Sequence, residues 1–557
     1  MSFKACRIPN FCVMLLFGGI VLFGSACRLK SQRNLHRPPS ESPQRIQLDS
    51  TTFVLGSNRL QFHAAGLWEM YLEGDAYTRG WSKGMLAKEL IHSQEQAFIA
   101  TLEGLVPNAN HQWLVKRFLR YFNRDIENYL QPEYKEEIKG VSQFTSAQYN
   151  YIAPSFERLL YFHAAHDLGH ALRDLALVGC TSVALWGDKT EDGKLLIGRN
   201  FDFYAGDAFA EQKMVVFIRP KQGIPHAMVT WPGMVGAVSG MNLSGITVTI
   251  NAGKSNLPHK AKTPISLLSR EILQHAHTIE DAIRIASKRQ VFVAESIMVA
   301  SGREGKVILL EVSPRKMDTY EVDPQRDHLI STNHFKSEGY RQDKRNWEHA
   351  RNSHSVYRFE RMEQLIEQNK AINPAMMAEM LRDRRGLDGS TLGMGNEKAI
   401  NQLIAHHAVL FQPEDLHMWV STAPYQLGTF VGYRLEEVFG RDGKATNMQA
   451  DDLLTIAPDP FIYTDTFQNY QLYRMLTDSL KQLTPHQKWT EGQLSYFAQL
   501  NPDFWKTHDQ IGEYHYTRKD FHKALAYFET ALNLEVSSRK ERMALQRKVN
   551  KVRKKVN

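Results

Sequence analysis

Cysteine is scarce in this chain: 4 residues in 557, at Cys6, Cys12, Cys27 and Cys180. Three of them crowd the N-terminus, so Cys180 stands alone beyond the leader. With Cys27 acylated, as argued below, no disulfide framework can form. Excess charge of one sign is also missing. Lys and Arg number 68 against 60 Asp and Glu, a net +8 that is modest over this length and does not point to nucleic acid. There is no Gly-rich phosphate loop, no CxxC pair, no His-Glu-x-x-His and no dinucleotide fingerprint. Nothing calls for a cofactor or a metal.

The informative stretch begins at Cys180. Gly179-Cys180-Thr181-Ser182 opens an alternating apolar run that reads as a strand. After the turn 188–194, Leu195-Leu196-Ile197 leads into Gly198-Arg199-Asn200-Phe201-Asp202. A hairpin brings Arg199 and Asp202 back beside Cys180. That suits thiol chemistry: a thiolate is the nucleophile, a neighbouring guanidinium favours it, and a carboxylate can orient a protonated amine. The plainer alternative for Cys180 is a small buried hydrophobe on a strand.

These residues resemble the N-terminal-nucleophile hydrolases of the penicillin acyltransferase and choloylglycine hydrolase kind, from about residue 65 to about 440. The resemblance implies a four-layer αββα sandwich of the α+β class and a chain that cuts itself between Gly179 and Cys180. The freed α-amine of Cys180 would then be the base for its own thiol, with Asp202 holding that amine. Asn251 matches the position that supplies an amide to the oxyanion, and Asn333 matches a second active-site asparagine. In Tyr357-Arg358-Phe359-Glu360-Arg361, Arg358 is the match for a further arginine, with Arg361 as fallback. His334 is not needed as a base. The cut pieces would stay associated.

Residues 1–27 read as a secretory leader: Lys4 and Arg7 precede the uncharged run Phe11–Phe23 and the small residues Gly24-Ser25-Ala26. The run is short for a membrane span. Small residues directly before Cys27 point to a lipoprotein signal with Cys27 lipidated, although Gly24 stands where leucine is usual. The expectation is an exported protein held on the bacterial cell envelope by an N-terminal lipid. Residues 28–46 form a Pro/Ser/Arg-rich tether.

The rest divides into a largely helical pro-segment (47–179), structured from Ala64, a catalytic domain (180–440), a connecting region (441–500) and a helical extension (501–557). Residues 451–490 read as irregular. Gly512, Tyr514, Ala524 and Phe528 resemble one tetratricopeptide helix pair, expected to cap the catalytic domain or to pair with Gln493–Leu500, and Lys548–Lys555 reads as a basic helix end or tail. His163, His166 and His170 share a helix face and could be imagined on zinc; packing near the cut, or lining an acyl pocket, is the better reading.

The expected activity is cleavage or transfer of an acyl group from an amide or thioester through Cys180, on an acylated small-molecule or lipid-like amide. Export favours hydrolysis over transfer from acyl-CoA. The competing readings are a phospholipase-type ester hydrolase and a catalytically inactive surface binding lipoprotein.

Overall fold

The computed structural model describes residues 43–105, 108–172, 179–204, 206–256, 258–440, 448, 450–484 and 487–556. The leader, Cys27 and most of the tether lie outside them, as do the side chains of His166 and His170.

Four strands come first: β1 (Ile46–Gln47), β2 (Thr52–Leu55), β3 (Asn58–His63) and β4 (Leu67–Gly74). Directly after Cys180, β5 (Thr181–Leu185) and β6 (Leu196–Phe201) form the expected hairpin, with Thr181 opposite Asn200 and Ser182 opposite Arg199. Then come β7 (Met214–Pro220), β8 (His226–Thr230), β9 (Ser239–Asn242), β10 (Ile246–Ala252), β11 (Glu295–Ser301), β12 (Lys306–Val312) and β13 (Met317–Tyr320). The last are β14 (His328–Ser331), β15 (His407–Gln412), β16 (His417–Ser421) and β17 (Phe430–Arg434).

They make two sheets. One has eleven strands in the order β1-β2-β3-β4-β7-β8-β9-β10-β11-β12-β13; the other has six, β14-β5-β6-β15-β16-β17. Neighbours pair antiparallel except β4 with β7, which run parallel. Side chains alternate across each strand, and this sorts the cores. Val215 and Phe217 of β7 face Ala184, Ile197 and Val409 of the smaller sheet. Met214, Val216 and Ile218 turn outward onto helices that include Ala76–Leu86, Pro132–Ser142 and Ile265–His275. On the far side, Val183 and Leu185 of β5 pack beneath Ser355–Gln368 and Pro374–Leu381. Helices, sheet, sheet, helices is the αββα order.

Two readings need correction. Order starts at β1 rather than near Ala64; the pro-segment is largely helical, and its strands β1–β4 extend the larger sheet. Residues 451–490 are not irregular: Asp465–Gln482 is a helix capped by the Thr464 side chain, which accepts from the Phe467 amide. Of the two readings of the basic end, the helix holds: Arg539–Val556, with Leu545, Val549 and Val552 buried. The pair Trp505–Thr517 and Phe521–Asn533 packs together with Glu491–Leu500 around one core that also takes in Leu403 and Leu427. Among the described residues, no helix is long and apolar enough to cross a membrane.

Candidate active site

Between the sheets, the packing turns polar where β5, β6 and β10 begin or end. On β10, Thr249 and Asn251 face the smaller sheet and meet the Ser182 hydroxyl at 3.1 and 3.2 Å. Cys180 sits at the head of β5 and is fully buried. Its thiol donates to the main-chain oxygen of Asp202 at 3.9 Å, and Arg199 Nη2 reaches its Sγ at 3.8 Å.

Two arginines brace this centre. Arg199 Nη1 donates to the Ser239 hydroxyl at 2.8 Å and to the Val238 carbonyl at 3.2 Å, Nη2 also donates to the Ile250 carbonyl, and the guanidinium lies over the Phe201 ring. Arg358 comes from the opposite layer. Its Nη1 donates to the Cys180 carbonyl and the Thr181 hydroxyl, both at 2.7 Å, and its Nη2 to Asn333 Oδ1 at 2.6 Å. Arg361, one turn on, forms a two-pronged pair with Asp383 instead. Asn333 Nδ2 donates to the Ala252 carbonyl and Asn251 Nδ2 to the Ser331 carbonyl, each at 2.9 Å.

The electrostatics departs from the sequence expectation at Cys180. Burial pushes its thiol up to about 11; Arg199 pulls the other way without prevailing. The uncut chain therefore holds a neutral thiol. Asp202 is raised to about 7 by burial, against the pull of Arg358 and Arg199. Both its carboxylate oxygens are buried without a hydrogen-bond partner among the described residues.

The peptide ahead of Cys180 is held on both sides. The Gly179 amide donates to the Asp202 carbonyl at 3.2 Å, and Gln402 Nε2 donates to the Gly179 carbonyl oxygen at 2.9 Å. Gln402 was not singled out from sequence; it lies in an irregular segment with no motif around it. Ser239 and His407 were missed too. The Ser239 hydroxyl meets His407 Nε2 at 3.1 Å, and His407 Nδ1 meets His406 Nδ1 at 2.8 Å. The adjacent histidines at the head of β15 were the available signal.

Two more histidines named from the sequence have partners. His163 Nε2 accepts from the Val235 amide at 3.0 Å and Nδ1 meets the Leu159 carbonyl at 2.8 Å, so its ring serves packing. His334 bonds Ser355 and Thr332. A cavity lined by Phe98, Phe162, Phe203, Phe209, Trp231 and Met234 opens nearby. Phe203 stacks on Phe201, which carries Arg199, so an aromatic row joins cavity and thiol.

Residues 189–424 match the family model of acyl-coenzyme A:6-aminopenicillanic acid acyl-transferase. That span includes Arg199, Asp202, Asn251, Asn333 and Arg358 and begins after Cys180. An uncharacterized protein of Archaeoglobus fulgidus is 24% identical over 281 residues, 46% of this chain and 45% of that protein. The N-acylethanolamine-hydrolyzing acid amidase of Caenorhabditis elegans is 23% identical over 233 residues, 40% of this chain and 61% of the amidase. The chain thus spans about half the length of these curated relatives. Among solved structures, a Caenorhabditis elegans N-acylethanolamine-hydrolyzing acid amidase ortholog aligns at TM-score 0.31 and 16% identity, over 42% of this chain and 93% of its own. The conjugated bile acid hydrolase of Clostridium perfringens aligns at 0.33 and 12%, over 49% and 96%.

Proposed function

From a chain whose residues 189–424 match the acyl-coenzyme A:6-aminopenicillanic acid acyl-transferase family, we propose a self-processing cysteine amidohydrolase or acyltransferase. Cys180 is its nucleophile after the chain cuts itself at Gly179. One observation carries the reading: Asp202 is a fully buried carboxylate with both oxygens unpartnered among the described residues, and its own backbone holds the Gly179–Cys180 segment. Burying an unpaired charge is costly. Cleavage at this peptide creates an α-amino group beside it, which as ammonium would satisfy Asp202 and as free amine would be the base the neutral thiol needs.

In turnover, the α-amine of Cys180 takes the thiol proton and passes it to the leaving amine, and water or an acceptor amine resolves the thioester. Arg199 favours the developing thiolate. Arg358 orders Asn333 and the Cys180 carbonyl. The aromatic cavity takes the acyl part, which favours N-acyl amides with an apolar chain; the two named hydrolases, of N-acylethanolamines and of conjugated bile acids, are consistent with such substrates. The leader with Cys27 supports export and lipid anchoring on the cell envelope; labelled fatty acid should enter the protein and be lost in Cys27→Ser.

The test is intact mass and N-terminal sequencing of wild type beside Cys180→Ala. A new N-terminus at Cys180 in wild type only, with release of amine from an N-acyl amide, is the expected result. A wild type that stays whole under folding conditions removes the mechanism and favours a binding role. Cleavage of a phospholipid with no action on N-acyl amides would move the substrate class to esters.

A further inference from the structure

The carbonyl that must be attacked in self-cleavage is that of Gly179, and the side chain bonded to it is Gln402. Neither asparagine expected to serve an oxyanion meets this oxygen: Asn251 donates to the Ser331 carbonyl and Asn333 to the Ala252 carbonyl. Gln402 is buried, and its Nε2 donates to Gly179 O at 2.9 Å. The approach needs glycine at 179, since a Cβ there would fall 2.0 Å from Gln402 Nε2 and 2.5 Å from its Oε1. The Gln402 backbone is fixed on both sides. The Asn401 amide donates to the Asp383 carbonyl at 2.8 Å, and Leu403, in the left-handed region at φ 55°, donates to Asn401 Oδ1 at 3.0 Å. The peptide itself is held by Asp202 O on the Gly179 amide and by Arg358 on the Cys180 carbonyl.

We infer that Gln402 is the oxyanion donor of the self-cleavage step, a catalytic residue for processing; the inference rests on the self-processing reading above. Cys180 Sγ attacks the Gly179 carbonyl carbon, and the oxygen gains negative charge facing the Gln402 amide. The C–N bond to Cys180 breaks, the proton lost by the thiol ends on the departing amine, and a Gly179 thioester remains. Water hydrolyses it to the Gly179 carboxylate and restores the thiol. A donor fixed in place before charge develops is what such a step requires.

The experiment follows cleavage of full-length protein over time by intact mass, for wild type, Gln402→Leu and the isosteric Gln402→Glu, with folding checked by circular dichroism. Loss of one such donor predicts cleavage slowed roughly 10²–10³-fold in both. Gly179→Ala, which drives the amide away, should slow cleavage comparably in wild type and add little in a Gln402→Ala background. Wild-type cleavage rates in a folded Gln402 variant, or fully additive Gly179 and Gln402 effects, overturn the assignment while leaving self-processing intact. A wild type that never cuts overturns both.

Discussion

The N-terminal segment through Gly179 and the helical extension from Asp465 onward lie on either side of the family-matched segment, and they are attached in different ways. The N-terminal segment is woven in. β4 pairs with β7 from Trp68–Met214 to Gly74–Pro220, so the segment's strands are part of the larger sheet. Arg79 and Arg270 meet across the seam on one buried carboxylate, Glu137, at 2.8 and 3.5 Å, and Lys83 donates to the Met234 carbonyl. The extension instead packs around a separate core, including Tyr473, Phe497, Ile511, Phe528 and Leu545, that reaches the catalytic segment at Leu403 and Leu427. Beyond those leucines it meets the rest through polar contacts such as Asn501 on Met394, Ser537 on Glu397, and Arg474 on Tyr204 and Asp207. The proposed cut at Gly179 would leave two pieces joined by a shared sheet and buried ion pairs, a physical reason for them to stay together.

The hardest test of this contrast is Glu137→Ala. It leaves the Arg79 and Arg270 guanidiniums buried without their shared carboxylate. Removing one side of a buried pair costs about 3–5 kcal/mol. Urea unfolding should show a loss of that size in the uncut Cys180→Ala background, and faster separation of the two pieces in the cut protein. A loss under about 1 kcal/mol would mean that the seam is held by its strands alone.

Much of the catalytic half was legible because its strands alternate and its helices keep a clean period. The β5–β6 hairpin put Arg199 beside Cys180. β2 and β3 were missed although Thr52–Leu55 and Asn58–His63 flank a Gly56-Ser57 turn, a fair hairpin signal; the polar residues within them hid the alternation. The helix Asp465–Gln482 was masked by Pro458 and Pro460, which end before it starts; Phe467, Tyr470 and Tyr473 at three-residue spacing were the clue. Gln402 could not be found, because its contact joins residues 223 positions apart through an irregular loop. The high thiol pKa was equally hidden: a sequence shows the neighbouring arginine but not the depth of burial that outweighs it.

A smaller effect should locate pH sensitivity at the Gly179 seam rather than in the extension. Asp202 ionises near 3.8 when unfolded and at about 7 in the fold, because burial disfavours its charge. Between those values the folded chain binds the extra proton, so this group's contribution is full below about pH 4 and is lost as pH rises through about 7. In the uncut Cys180→Ala background, Asp202→Asn should gain on its parent in thermal midpoint from pH 4 to 7 and hold level above. A constant difference across that range would show that Asp202 has found a partner in solution.

The smallest expected change in stability tests whether the extension influences the site at all. Arg474 donates at 2.9 Å to both Tyr204 Oη and Asp207 Oδ1, and also to the Tyr425 hydroxyl. Asp207 opens the short helix Asp207–Glu211, which carries Phe209 into the aromatic cavity. Arg474 and Asp207 are partly exposed, so Arg474→Ala should cost about 1 kcal/mol or less. Its consequence should appear in substrate binding: freeing Phe209 loosens the cavity wall without touching the thiol or the Gly179 carbonyl. Steady-state kinetics on an apolar N-acyl amide should give a several-fold higher KM with kcat nearly unchanged, and self-cleavage at the wild-type rate. An unchanged KM would make the extension an appendage. Slowed self-cleavage would mean that it braces the seam as well, and the contrast between the two attachments would not hold.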